Sequence, residues 1–455
     1  VQLNRLLHAM VIASLPVALY GILQHYNLDS LPWGGDVTQR VAGNMGNAIF
    51  ISAYLIIPFF ITLERFLRSA GRLLAEQGGE IADALLVGAY VFVLVVQSVA
   101  IIFSQSRGPW LGWFAGLYIF VLLGLIALRS RDNAGRRGAG LFRWAWLGWI
   151  GLAVAGVAFL ITFNLPNSPL AGLRGVPYVG RLGQIFETDE GTGKVRVLLW
   201  EGASQMILPH APVAYPDGTP DPLNALRPLF GYGPEAMWVA YNPFYPPDLA
   251  HYEARNASPD RSHNETFDAL IITGAWGFLA YVILFGSIFY WTLRWLGWVR
   301  NRQDAVLFLT LTLLGGLGGV LVPWLALGDL RFLGVAIPAG LILGFIVYLT
   351  ISAFRSTFTL QMAGSRALLL LAILSAIAAH FVEIHFGIAI AATRTYFWTL
   401  TAVLLVTGLG WLDLSDEEPL EAVSAAPPAP AAAQTSPARP TTGGRKRRSG
   451  APPTR

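Results

Sequence analysis

Cysteine is absent from all 455 residues, and only 13% of them are charged. The first absence excludes disulfides and thiolate chemistry, so any large loop must be held by packing and hydrogen bonds. The second, set beside a hydrophobic share of 54%, excludes a soluble protein of several domains. Internal repeats and a secretory signal peptide are missing too. The chain opens on Val1 and leads straight into an apolar run, so further helices are expected upstream.

What is present is a succession of apolar segments, each long enough to cross the ~30 Å hydrocarbon core of a bilayer as a helix of about twenty residues. Ten can be drawn: 6–28, 47–64, 82–103, 109–128, 143–163, 267–293, 304–327, 331–352, 367–387 and 395–412. In lipid the backbone must satisfy itself within each segment, so the expected class is all-α: a polytopic membrane helix bundle of about ten spans. Arginines crowd the turns at 64–81, 129–143, 294–302 and 353–366, while the alternate short turns carry one each, Arg40, Arg107, Arg331 and Arg394. The positive-inside bias puts the crowded turns in the cytoplasm. The net charge of +4 is mostly this signal plus the tail, not a sign of nucleic acid.

Four regions follow. Residues 1–163 hold helices one to five and 267–413 hold helices six to ten. Between them, 164–266 form one large extracytoplasmic loop rich in Pro, Gly and aromatics, and ordered loops of that length are usually functional. A helix is expected over "GTGKVRVLLWEGASQMIL" (191–208), with Thr192 as N-cap. Residues 414–455, Ala/Pro-rich with a basic "GRKRRSG", read as a disordered cytoplasmic tail. Its basic cluster suits anionic lipid or plain solvation.

Three polar residues stand out. Arg107, in "SQSRGPW", ends the third apolar run and precedes Pro109, which suits the first turn of a new helix. With the free N–H groups of that helix start it makes an anion site, or it snorkels to lipid headgroups. Arg196 shares a face with Trp200 on the loop helix, as a ligand or as an ordinary surface arginine. His263, just before the sixth span, is placed to take a proton from a hydroxyl, or is an ordinary interfacial histidine. "FETDEG" groups Glu187, Asp189 and Glu190, a solvated turn more readily than a Mg²⁺ or Mn²⁺ site. "HFVEIHF" sets His380 and Glu383 one turn apart, and pairing with Arg394 across a short turn is expected for them.

Four stretches, in order, resemble the bacterial O-antigen ligase/polymerase family of membrane proteins. They are "RVAGNMGNAIFISAYL" (40–55), "SQSRGPWLGW" (104–113), "GTGKVRVLLWEGA" with "PLFGYGPEAMW" (191–238), and "HNETFDALIITGAWGFLAYVILF" (263–285). They are similar to the family's Gly/Asn-rich turn, Ser-Arg-Gly turn, Arg…Trp and Gly-x-Gly stretch, and His-Asn motif. The first departs from the commoner pattern, with Ile49 where a second Asn is common. The likeness covers residues 1 to about 412, and about a dozen helices are usual in the family.

The resemblance implies transfer of a glycan from a polyprenyl diphosphate to a hydroxyl on lipid A core, another glycan or a protein. The site would face outward from the plasma (inner) membrane, with no metal and no cofactor. Mapped by motif, Arg107 and Arg196 would hold the diphosphate and His263 would be catalytic, with Trp200, Arg261 and Asn264 as substrate contacts. Trp238, Tyr241, Tyr245 and Tyr252 would line the sugar path or simply pack. The rival class is a solute or ion transporter using Asp329, His380, Glu383 and Arg394. That reading calls for repeats and helices broken at midplane, and the sequence displays neither.

Overall fold

A computed structural model describes residues 2–411, apart from 75–80, 133–137, 186–190, 216, 254–256 and 355–363. The tail and the Glu187–Asp189–Glu190 group therefore lie outside the described residues. Five helices precede the loop: α1 (Gln2–His25), α2 (Ala48–Leu73), α3 (Ile81–Phe103), α4 (Arg107–Asp132) and α5 (Gly138–Asn164). The loop holds α6 (Val179–Leu182), α7 (Gly191–Ile207), α8 (Arg227–Phe230) and α9 (Met237–Ala240). After it come α10 (Glu265–Trp295), α11 (Arg302–Leu327), α12 (Leu333–Phe354), α13 (Ser365–Glu383) and α14 (Ala391–Gly408).

Among the described residues nine helices are long and apolar enough to cross a membrane, not ten. The one that falls short is α14, where threonines and Arg394 dilute the apolar run. Eight of the remaining nine start and stop within about five residues of the expected limits, whereas α2 continues as a helix past 64, through Arg65, Arg68 and Arg72, to Leu73.

The burial pattern sorts these helices. α2 and α13 form the buried axis, with 78% and 89% of their spans enclosed by protein. α5, α10 and α11 turn most of their surface outward. α4 approaches α13 closely because glycine recurs every fourth residue, at Gly108, Gly112 and Gly116, the small-residue spacing that lets helices touch without side chains between them. A β-carbon on Gly112 would stand 2.5 Å from the Ala379 carbonyl oxygen, which is backbone and has no rotamer to change. Gly112→Ala should therefore force the helices apart and cost about 1–3 kcal/mol, read as a clear fall in melting temperature of the purified protein.

α10 carries a feature the sequence did not reveal: it is broken at Gly274, whose φ of 67° and ψ of −167° leave the helix. The break frees the carbonyls of Ile271 and Ile272, and the "GYG" turn of the loop takes them. Tyr232 N–H donates to Ile271 O at 2.7 Å and Gly233 N–H to Ile272 O at 3.0 Å. Only glycines permit the approach. Gly231 has φ 72° and Gly274 φ 67°, and a β-carbon on either would strike the other segment's backbone. A second hydrophobic core, with Leu199, Trp200, Met206, Tyr241, Leu249, Phe267 and Ile271 at its centre, fixes α7 to the head of α10 without any disulfide.

Candidate active site

The turn that carries Arg107 is built from both sides. Ser106 N–H donates to Ser104 Oγ at 3.2 Å, and Gln105 between them has a left-handed φ of 48°. Arg40, from the Gly/Asn-rich turn, lays its guanidinium over this corner, donating to Ser104 O and Ser106 Oγ at 3.4 Å each. The Gln105 side chain returns to Gln39 O at 2.8 Å. Helix α4 then begins at Arg107 itself, so Pro109 falls in its first turn, where a missing N–H costs nothing.

The Arg107 side chain turns toward the loop, not along a lipid-facing surface. It donates to Gln184 O and, at 3.2 Å, to Thr192 Oγ1. Thr192 is thus inside the first turn of α7, which starts at Gly191, and serves as an acceptor for Arg107 where an N-cap was expected. Arg181 joins from α6, donating to Gln184 Oε1 at 3.0 Å and to Gln105 O at 3.5 Å.

Arg196, one turn along α7, completes the group. Among the described residues no hydrogen bond or ion pair within 4 Å is made by its guanidinium, and its electrostatic neighbours are Arg107, Arg40 and, with opposite sign, Glu383. Burial first, then those two arginines, pull it down to about 10. Arg40 is lowered for the same reasons, burial ahead of Arg181 and Arg107. Four arginines from three separate parts of the chain therefore share one half-buried space. Like charges held so close cost free energy unless an anion joins them.

His263 borders this space. Its φ of 57° is left-handed, a conformation that costs a non-glycine residue roughly 1–3 kcal/mol and persists only when its surroundings enforce it. The enforcement is visible on both sides. Asp268 accepts from Ser262 N–H at 2.8 Å and from Ser262 Oγ at 2.7 Å. Asn264 caps α10, accepting from Phe267 N–H at 3.2 Å, and donates to His385 O at 2.8 Å. Trp200 donates to Ser262 O at 3.0 Å, which ties α7 to the same turn and brings Arg196 within electrostatic reach of the imidazole. Burial and the Arg196 charge pull His263 down to about 4, so near pH 7 its imidazole is neutral and keeps a free lone pair, as a weaker base than an ordinary histidine.

The candidates from sequence thus divide. Arg107, Arg196 and His263 are brought together, the first two directly and His263 through Arg196. Trp200 and Asn264 are buried and satisfied by protein partners, which makes them the frame of the site. Arg261 faces Glu235 in an ion pair. Tyr241 is fully buried and donates to Leu199 O at 3.1 Å, so it packs, whereas Trp238 and Tyr252 are exposed. Arg40 and Arg181 are not singled out by the sequence: Arg40 opens the Gly/Asn-rich motif but reads only as a topology signal, and nothing around Arg181 sets it apart.

Beneath the arginines the expected pairing of Glu383 with Arg394 is not formed. Arg394 binds Glu265 at 3.0 Å with its own side chain half exposed, whereas Glu383 faces His380 Nδ1 at 3.3 Å inside protein. The sequence offered Arg394 as a near neighbour of Glu383, but α14 aims it across the bundle at the head of α10. Asp329 likewise pairs with Arg331, which also reaches Glu201 at 3.1 Å. Among the described residues no three His, Asp or Glu side chains converge as metal ligands do. No family model, curated protein or solved structure matches this chain.

Proposed function

We propose that the protein transfers a glycan from a polyprenyl diphosphate to an acceptor hydroxyl at the extracytoplasmic face of a plasma membrane. The observation that carries this reading is the convergence of Arg40, Arg107, Arg181 and Arg196 beside His263 at one end of an apolar helix bundle. The acceptor oxygen forms a bond to the anomeric carbon as the bond from that carbon to the phosphate oxygen breaks. The electron pair leaves with the diphosphate, and the hydroxyl proton goes to the neutral imidazole of His263. Charge grows on the leaving group, where fixed cations stabilise the transition state. Arginine suits it because its planar fork donates two hydrogen bonds to phosphate oxygens.

The transporter reading has less support. The arginine group lies at one end of the bundle, and the break in α10 falls at Gly274, nine residues after Glu265, not at mid-length. The direct test supplies the purified protein with a labelled glycan on a polyprenyl diphosphate and, in separate reactions, a lipid, glycan or protein acceptor. Label should move to one of them with release of polyprenyl diphosphate. No transfer to any acceptor would leave the reading without support. The orientation is tested separately. A reporter fused near Gly218 should read as extracytoplasmic and one near Gly135 as cytoplasmic, and two fusions on the same side would remove the site from the face the chemistry needs.

A further inference from the structure

The loop segment that repairs the break in α10 also presents an apolar face with no protein over it. Leu223, Leu226 and Phe230 lie on α8 and its approach at the spacing of one helix side, and they are 50%, 47% and 61% exposed. Leu229 beside them is 44% exposed. Their depth is fixed, because the α8 backbone is jammed against that of Ile272 and Gly274 through the two glycines. Trp276, two residues beyond the break, is 59% exposed, and Trp324 at the same end of α11 is 56% exposed. Exposed tryptophans near the ends of apolar spans mark the membrane–water boundary. The apolar side of α8 is therefore continuous with the outward surface of α10 at that boundary.

We propose that α8 is an interfacial anchor that lies in the lipid leaflet at the loop end of the bundle. Its occupant is bilayer lipid, taken through the acyl region and not through the headgroup charge. The one cation in the helix, Arg227, is already held by Asp221 Oδ2 at 2.7 Å and Oδ1 at 3.1 Å, and stacks on the Tyr232 ring at 5.1 Å. Apolar area, not anionic lipid, supplies the attraction. Because the same segment donates Tyr232 and Gly233 to α10, anchoring would hold the loop at a fixed height above the membrane, independent of what the loop binds.

The cysteine-free chain makes the test direct. Phe230→Cys and, as control, Thr219→Cys on the exposed turn are labelled with an environment-sensitive fluorophore. Each is placed in nanodiscs of phosphatidylcholine with and without phosphatidylglycerol. The label at 230 should emit as in an apolar medium and lose at least half its intensity to a doxyl group high on the acyl chain, equally in both lipid mixtures. The label at 219 should stay water-like. Emission like water at 230, or strong dependence on phosphatidylglycerol, overturns the proposal. So does apolar emission without doxyl quenching, which would mean that protein covers the face. If Phe230→Cys does not fold, Leu226→Cys carries the same test one turn away.

Discussion

His263→Ala should abolish most glycan transfer while leaving pyrophosphate binding close to wild type. A positioned general base contributes roughly 10²- to 10⁴-fold, so a loss of at least about a hundredfold is expected. Binding should survive because the arginines, not the imidazole, hold the phosphate charge. Alanine also relaxes the left-handed backbone at 263 only slightly, and the Asp268 and Asn264 bonds that frame the turn involve neither nitrogen of the imidazole. The pH profile adds a second reading. In the empty site burial and Arg196 pull the histidine down to about 4, so the neutral base is present above that pH and is lost as pH falls through it. The acid limb of kcat/KM, which reports the free enzyme, should therefore lie well below the ordinary histidine value of about 6.5. The limb of kcat should lie higher, because a bound diphosphate offsets the arginine charge. A kcat/KM limb near 6.5, or full activity in His263→Ala, would remove the histidine from the mechanism.

How much of this was legible beforehand differs from residue to residue, for physical reasons. Spans were legible because lipid permits only self-satisfied helices, and the turn at Ser104–Arg107 because Gly108 and Pro109 punctuate it. The α7 helix was legible from its apolar spacing. The break in α10 was not. Gly274 sits in an apolar run where glycine is ordinary, and its cause is a hydrogen-bonding partner some forty positions upstream. The Gly108, Gly112, Gly116 spacing was in plain view, but only α13 shows what it packs against. Arg40 and Arg181 were invisible as members of the site because their partners come from tertiary contact. The Arg394 assignment failed for the same reason, since nearness in sequence was taken for nearness in space. The direction in which Trp200 and Asn264 spread their hydrogen bonds was also beyond reach. Motif position marked the right turn, but which residue faces the cavity and which holds the turn depends on burial.

Arg196→Gln should slow transfer by about ten- to hundredfold, yet leave the melting temperature unchanged or higher. The two halves of this expectation have one cause. Among the described residues Arg196 has no hydrogen-bond or ion-pair partner to lose, and its surroundings already pull it down to about 10 through burial and the charges of Arg107 and Arg40. Removing a cation from that setting relieves repulsion in the empty protein. In the working state the same cation contributes a charge-assisted hydrogen bond to the leaving group, about 1.5–3 kcal/mol, and each 1.36 kcal/mol is a factor of about ten in rate. Residues kept for function at a cost to the fold behave in this way. Two comparisons separate this from general damage. Arg107→Lys should lower both transfer and stability, since the Arg107 fork also holds the Gln184 carbonyl and Thr192. Arg261→Ala, whose guanidinium faces Glu235, should change transfer much less than either. Melting of Arg196→Gln well below wild type would mean that Arg196 is a structural tie, and wild-type transfer in that variant would mean that the diphosphate lies elsewhere. The contrast with Arg107 decides between these, because the two arginines share one space but only one of them is tied to the protein within it.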